Sequence, residues 1–167
     1  DDLLGLDFSA RSFLRARHSS DSMLWSDSYL SQRGEIVVAI TVPLRGQVAA
    51  TVSAGSMLVG EIDLRQLSAQ IMELGSATAV LPIIIDRLGQ VVAHPEADRA
   101  ARQENLAYLP LVQAGLAGHF GTGRFSLAGQ EHIGTVAPIG NSGWLTLVAQ
   151  PTDIAFATMR STLLAIA

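Results

Sequence analysis

The stretch Ile83-Ile84-Ile85-Asp86-Arg87-Leu88-Gly89-Gln90-Val91-Val92-Ala93-His94-Pro95 decides the fold. An apolar run breaks at Asp-x-x-Gly, a second apolar run follows, and His-Pro stops it. Asp and Gly are turn formers, so the pattern predicts a tight hairpin: a strand over 79–85, a turn over 86–89 and a strand over 90–93.

Downstream comes an irregular or helical stretch containing Asn105-Leu106 and Leu109-Pro110. Leu111, Val112, Gly115 and Leu116 predict a helix that ends at Gly118. Gly121-Thr122-Gly123 reads as a flexible turn. Strands are expected near 123–127, 131–138 and 144–149, with turns at Ala128-Gly129-Gln130 and Gly140-Asn141-Ser142-Gly143. Trp144 reads as a core aromatic at a strand start. A helix from Pro151 or Thr152 runs to the end, and Asp153 in its first turn suits the helix dipole. Five strands with helical crossovers make an α+β unit.

Upstream, Ile36, Val38 and Ile40 alternate loosely between Glu35 and Leu44, and Pro43 ends that strand. Val48 to Asp63 is a second long β-type run, with Gly55 and Gly60 as bulge or close-approach points. Leu64, Leu67, Ile71 and Leu74 recur at helical spacing, and Gly75 sits where a C-cap belongs. Asp7 or Ser9 can cap a short helix over 7–17, and the polar stretch 19–33 embeds Trp25 and Tyr29.

Composition narrows the function. The chain has 167 residues, 49% hydrophobic and 16% charged, ample for a packed core. Its net charge is −4, its pI is about 5.4 and all 11 basic residues are Arg. No basic stripe exists, which argues against a nucleic-acid partner. Without Cys there is no disulfide framework, thiolate nucleophile or Cys-ligated zinc. No run of 18 apolar residues is long enough to span a bilayer. Thr162-Leu163-Leu164-Ala165-Ile166-Ala167 after Arg160 reads either as a frayed helix end or as the first turns of a membrane span.

Taken in order, these pieces resemble the extracytoplasmic Cache sensor domains of bacterial receptors. Residues 79–151 are similar to the membrane-proximal module of a double Cache domain. The similarity rests on Ile85-Asp86-x-x-Gly89-x-Val91-Val92-Ala93-His94-Pro95, Asn105-Leu106, Gly118-His119, Ala137-Pro138-Ile139, and Gly143-Trp144 leading to Gln150-Pro151. Residues 6–74 are similar to the latter part of the membrane-distal module. There the carriers are Leu6-Asp7-x-Ser9-x-Arg11-x-Phe13, Trp25-Ser26, Tyr29, Gly34 opening a strand that ends at Pro43, and Gly60-Glu61-Ile62-Asp63-Leu64.

The resemblance implies an α+β fold of tandem PAS-like Cache modules, each an antiparallel sheet with flanking helices. It implies a partial distal module over 1–75, lacking its first hairpin and the anchor before it. A proximal module over 76–151 and a C-terminal helix over 152–167 leading to a membrane span complete the expectation.

In the amino-acid-binding Cache subfamily, an Arg-x-Trp-Tyr helix motif, a later Tyr and a strand Asp form the distal pocket. Here Arg11 and Tyr29 match, Phe13 and Leu14 occupy the Trp and Tyr positions, and Glu61 stands at the Asp, with Asp63 two residues on. The implied ligand-binding set is therefore Arg11, Phe13, Trp25, Ser26, Tyr29, Glu61 and Asp63. An Arg fork grips a carboxylate, aromatic walls favour an ammonium, and an acidic group holds the amine. Each residue also has a structural role to offer: Arg11 a surface Arg, Trp25 a core anchor, Asp63 an N-cap. Strand alternation puts Glu61 and Asp63 on one face, towards pocket or solvent.

Other chemistry finds little support. His94, His119 and His132 follow no metal-ligand spacing. Gly121-x-Gly123 lacks the third Gly of a phosphate loop, and no Gly-x-Ser-x-Gly elbow occurs. No catalytic residue, metal or cofactor is expected. The resemblance implies the ligand-sensing, periplasmic part of an inner-membrane signalling protein. Its output would be a diguanylate cyclase, histidine kinase or chemoreceptor, its state a homodimer, and its ligand a small molecule such as an amino acid or organic acid. A stand-alone periplasmic binding protein without transmembrane output is the alternative.

Overall fold

The computed structural model describes residues 23–31, 35–44, 57–78 and 80–157. The chain divides into two compact units, Asp1–Asp63 and Leu64–Ala167, each built on an antiparallel sheet. The predicted helix over 7–17, Gly55 and the apolar end at Thr162–Ala167 lie outside the described residues.

In the first unit the sheet is built from β1 (Leu24–Trp25), β2 (Tyr29–Leu30), β3 (Ile36–Pro43) and β4 (Met57–Asp63). The β-branched run of β3 makes it the centre, and Val37, Val38 and Ala39 are buried. β4 holds one edge of β3 in unbroken register from Val37↔Asp63 to Pro43↔Met57. β1 and β2 therefore share the other edge, opposite Thr41–Ile40 and Val37–Ile36. Gly60, expected at a bulge or close approach, pairs regularly with Ile40 and has open space where a side chain would go.

The second unit opens with α1 (Arg65–Thr78). Leu64 occupies its N-cap position, because the Leu64 carbonyl accepts from the Leu67 and Ser68 amides. Gly75 does not cap this helix, as its spacing had suggested. It lies inside, where a Cβ would come within 3.1 Å of the Val80 carbonyl and 3.2 Å of Pro82 Cδ. Close approach of the helix to the start of the next strand, rather than helix termination, explains this glycine.

Then follow β5 (Leu81–Ile85), β6 (Val91–Ala93), α2 (Ala97–Ala101), α3 (Pro110–Leu116), β7 (Gly121–Leu127), β8 (Gln130–Ile139), β9 (Trp144–Pro151) and α4 (Thr152–Ala155). The sheet order is β6-β5-β9-β8-β7, all antiparallel. The five predicted strands are present. Gly121-Thr122-Gly123 is the start of β7 rather than a flexible turn. The Thr122 and Thr135 hydroxyls hydrogen-bond across the rung at 2.7 Å, which carries the ladder through two glycines.

The hairpin at Asp86 is held by its own side chain and by the loop that follows. Asp86 is fully buried, and its Oδ1 accepts from the Leu88 and Gln90 amides at 2.9 and 3.0 Å. Gly89 has φ +82°, and a Cβ there would lie 2.6 Å from the Ala107 Cβ. The turn docks on the following loop through Asn105 Nδ2 to the Leu88 carbonyl and the Leu106 amide to the Gly89 carbonyl. One face of the sheet packs beneath Leu106, Leu109 and Val112, closing a core with Ile83, Ile85, Val136, Leu145 and Leu147. Each such aliphatic side chain contributes about 2 kcal/mol on burial.

Candidate functional site

Residues directly opposite one another on antiparallel rungs point to the same face. Tyr29 and Asp63 both lie opposite Val37, and Glu61 lies opposite Ala39. These three therefore share one face of the first sheet with Val37, Ala39 and Thr41. The Tyr29 hydroxyl donates to Glu61 Oε1 at 2.6 Å, spanning β3 from one neighbour strand to the other. The short distance is that of a charge-assisted O–H···O⁻ bond.

Trp25 is on the opposite face. It lies across from Ile40, which is one residue out of phase with Val37, Ala39 and Thr41. Between Trp25 and Tyr29 the outer strand advances four residues while β3 advances three. One inserted residue is a β-bulge, and it reverses the faces on either side of it. The sequence could not show this, because Trp25 and Tyr29 keep the even spacing of a same-face pair.

Ser26 holds the bulge together. It is 4% exposed, and its hydroxyl accepts from the Ala39 amide at 2.8 Å while donating to the Asp27 carbonyl at 2.7 Å. Its own amide donates to the Ala39 carbonyl at 2.9 Å. The hydroxyl is thus engaged by backbone on both sides. Arg11 and Phe13 lie outside the described residues.

Thr41, which the sequence did not single out, lies on the same face. It is 1% exposed, and its hydroxyl has no hydrogen-bond partner. A buried hydroxyl without a partner costs about 1–3 kcal/mol, so it marks a place where a partner belongs. It shares the sheet face of Tyr29 and Glu61. The available signal was a polar residue in the buried phase of Ile36-Val37-Val38-Ala39-Ile40-Thr41-Val42. A carboxylate, a phenol and an unpartnered hydroxyl thus lie on one sheet face.

Of the histidines considered as a metal set, His94 and His132 line one cavity of the second unit, and His119 is exposed. Among the described residues no group of three His, Asp or Glu side chains is placed to hold a metal ion. Among them, too, no helix is long and apolar enough to cross a membrane.

No protein-family model and no curated protein sequence matches the chain. Solved structures do. The ligand-binding domain of Mlp24 with asparagine superposes with TM-score 0.68 at 20% identity, over 95% of this chain and 62% of that one. The ligand-binding domain of the Pseudomonas aeruginosa PAO1 amino acid chemoreceptor PctB in complex with L-Arg gives 0.65 at 20% identity, over 94% and 66%. The extracellular domain of mmHK1S-Z3, a protein assigned as a histidine kinase, gives 0.73 at 13% identity, over 93% and 59%.

The chain thus has the α+β fold of chemoreceptor ligand-binding domains and histidine-kinase extracellular domains. This is the Cache-type sensor fold that its motifs resemble. The chain spans less than two thirds of the length of these structures.

Proposed function

We propose that this chain is the extracytoplasmic ligand-sensing part of a membrane-anchored signalling receptor, and that its ligand is a small molecule carrying an amino group. The first unit is the membrane-distal module and the second the membrane-proximal one. The observation that carries this reading is the shared face of Tyr29, Glu61, Asp63 and the unsatisfied Thr41 hydroxyl. It occurs in a fold whose solved relatives hold asparagine and L-Arg, and in one case GABA.

Glu61, kept acceptor-rich by its anionic oxygens, receives the ligand ammonium, and Tyr29 fixes the carboxylate's orientation. Arg11 supplies the fork for a ligand carboxylate. Ligand binding acts by favouring one of two conformations, for which it needs different affinity for the two. The chemoreceptor and kinase relatives support those two outputs. The diguanylate cyclase output and a homodimeric assembly rest on the family resemblance alone.

The test is calorimetric titration with the protein amino acids, GABA and amine-free organic acids. Binding of an amine-bearing ligand that falls at least tenfold in Glu61→Gln and in Arg11→Ala is the expected result. Equal binding by wild type and both variants, or preference for amine-free acids in Glu61→Gln and wild type alike, overturns the assignment.

A further inference from the structure

We propose that the second unit carries its own small-molecule site, a pocket for a small monocarboxylate in which the His94 imidazole meets the carboxylate. Its evidence is independent of the first unit. A cavity of about 360 Å³ opens at the end of the second sheet. It is walled by Gly75 of α1, by Leu81 at the start of β5, by His94 after β6, by the β7–β8 turn and by Ile154 of α4. The cavity adjoins the hydrophobic core at Leu81 and Leu127, whereas the space beneath α3 is filled by Leu106, Leu109, Val112 and Leu147. Taking about 30 Å³ for each water-sized group, the cavity holds a molecule of roughly ten heavy atoms.

His94 is 1% exposed. Its Nδ1 accepts from the Glu96 amide at 2.8 Å, which leaves the proton of the neutral ring on Nε2. That Nε2 is buried and has no hydrogen-bond partner. A buried donor without an acceptor calls for an oxygen from outside the protein. His132, on the same cavity, is fixed the other way: its Nδ1 meets the Gln130 carbonyl at 2.9 Å, so that its Nε2 carries a lone pair. Phe125 stacks on its ring at 5.8 Å and holds it in place.

The remaining charges select the ligand class. Arg99 lines the cavity, with Nε 3.2 Å from Glu96 and Nη1 3.4 Å from Glu104. Both nearby carboxylates are thus paired with Arg99, and other N–H groups of its fork remain for an anion. The wall brings the His94 ring and the Arg99 guanidinium to an anion, and its one carboxylate, Glu96, is paired with Arg99 through Oε2. Leu81, Leu127, Pro151 and Ile154 supply an apolar side for a short alkyl chain. An occupant touches both α1, through Gly75, and α4, through Ile154.

The test is a titration of the purified protein with acetate, propionate and butyrate, each against the matching primary amide and against chloride at equal ionic strength. Thermal midpoint and calorimetric heat are the readouts. The expected result is saturable binding of one of these carboxylates. It should weaken at least tenfold in His94→Gln and remain within twofold in His119→Gln, an exposed histidine off the cavity wall.

A long-range proton–nitrogen spectrum of the wild-type histidine rings provides a second measurement that needs no variant. Carboxylate addition should move the His94 Nε2 resonance. An unmoved His94 resonance at saturating carboxylate, or a response matched by chloride, overturns the proposal. Equal affinity for the amide overturns the anion assignment. Failure of the first-unit reading would show instead as loss of amino-acid binding differences in Glu61→Gln, which this experiment does not use.

Discussion

Two carboxylates divide the labour of this molecule. Asp86 in the second unit is fully buried and serves two backbone amides. Glu61 in the first unit is exposed and meets a side-chain phenol. A carboxylate spent on backbone amides fixes a turn and is closed to any ligand. A carboxylate held by a hydroxyl keeps acceptor positions open, since each anion has about four. The difference separates a carboxylate that builds the scaffold from one with acceptor positions to spare, without any appeal to sequence similarity.

The largest effect that sharpens this contrast is expected at the turn. Asp86→Ala takes the acceptor from two half-buried amides and should cost about 3 kcal/mol. Asp86→Asn retains an acceptor oxygen and should cost about 1 kcal/mol. Gly89→Ala forces a side chain into φ +82° and onto the Ala107 Cβ, and about 3 kcal/mol is expected from strain and overlap together. Glu61→Gln, by contrast, should change stability by no more than about 0.5 kcal/mol, as exposed substitutions do. Denaturant unfolding of the four variants checks the set. A Glu61→Gln loss comparable to that of Asp86→Ala would erase the distinction between the two carboxylates.

The same contrast explains what could be read from the sequence. The second unit was legible because its signals are local. Asp86 and Gly89 define a turn by themselves, and the apolar runs at 81–85 and 144–149 belong to strands that pair over their whole length. What failed there were glycines whose reason lies elsewhere in the fold: Gly75 makes room for Val80 and Pro82, and Gly123 sits in a strand. In the first unit the sequence offered candidate residues, but not the faces they occupy. A one-residue bulge between Trp25 and Tyr29 reverses the faces, and no residue in Ser26-Asp27-Ser28 announces a bulge rather than a turn. Thr41 passed as strand filler because β-branched residues suit strands whatever their role.

His94 gives a pH signature to the second unit. Burial pushes its imidazole below the ordinary value of 6.5, and the Arg99 cation adds to this, while Glu96 and Glu104 pull the other way. The unfolded chain therefore binds the proton more readily than the folded one. Stability is fully present above about pH 6.5 and is lost as pH falls from there towards the folded value. The slope is at most about 1.4 kcal/mol per pH unit for one group. His94→Gln should remove this component, so the stability difference between variant and wild type should change over that window and be flat above it. A difference that is constant from pH 5 to pH 8 would show that His94 titrates alike in both states.

The smallest stability effect is the most informative about the first unit. Thr41 is buried with an unpartnered hydroxyl, so Thr41→Val replaces a desolvated polar group with a methyl of nearly the same shape. In the unliganded protein this should raise stability by about 1 kcal/mol. If the hydroxyl instead serves a ligand on the Tyr29–Glu61 face, the same variant should bind an amine-bearing ligand more weakly, by roughly fivefold for one lost hydrogen bond of about 1 kcal/mol. Stability and affinity then move in opposite directions. That is the mark of a group retained for recognition at a cost to the fold. A variant that gains stability with unchanged affinity would make Thr41 a packing defect. A variant that loses stability would show that the hydroxyl has a structural partner, and would remove Thr41 from the site.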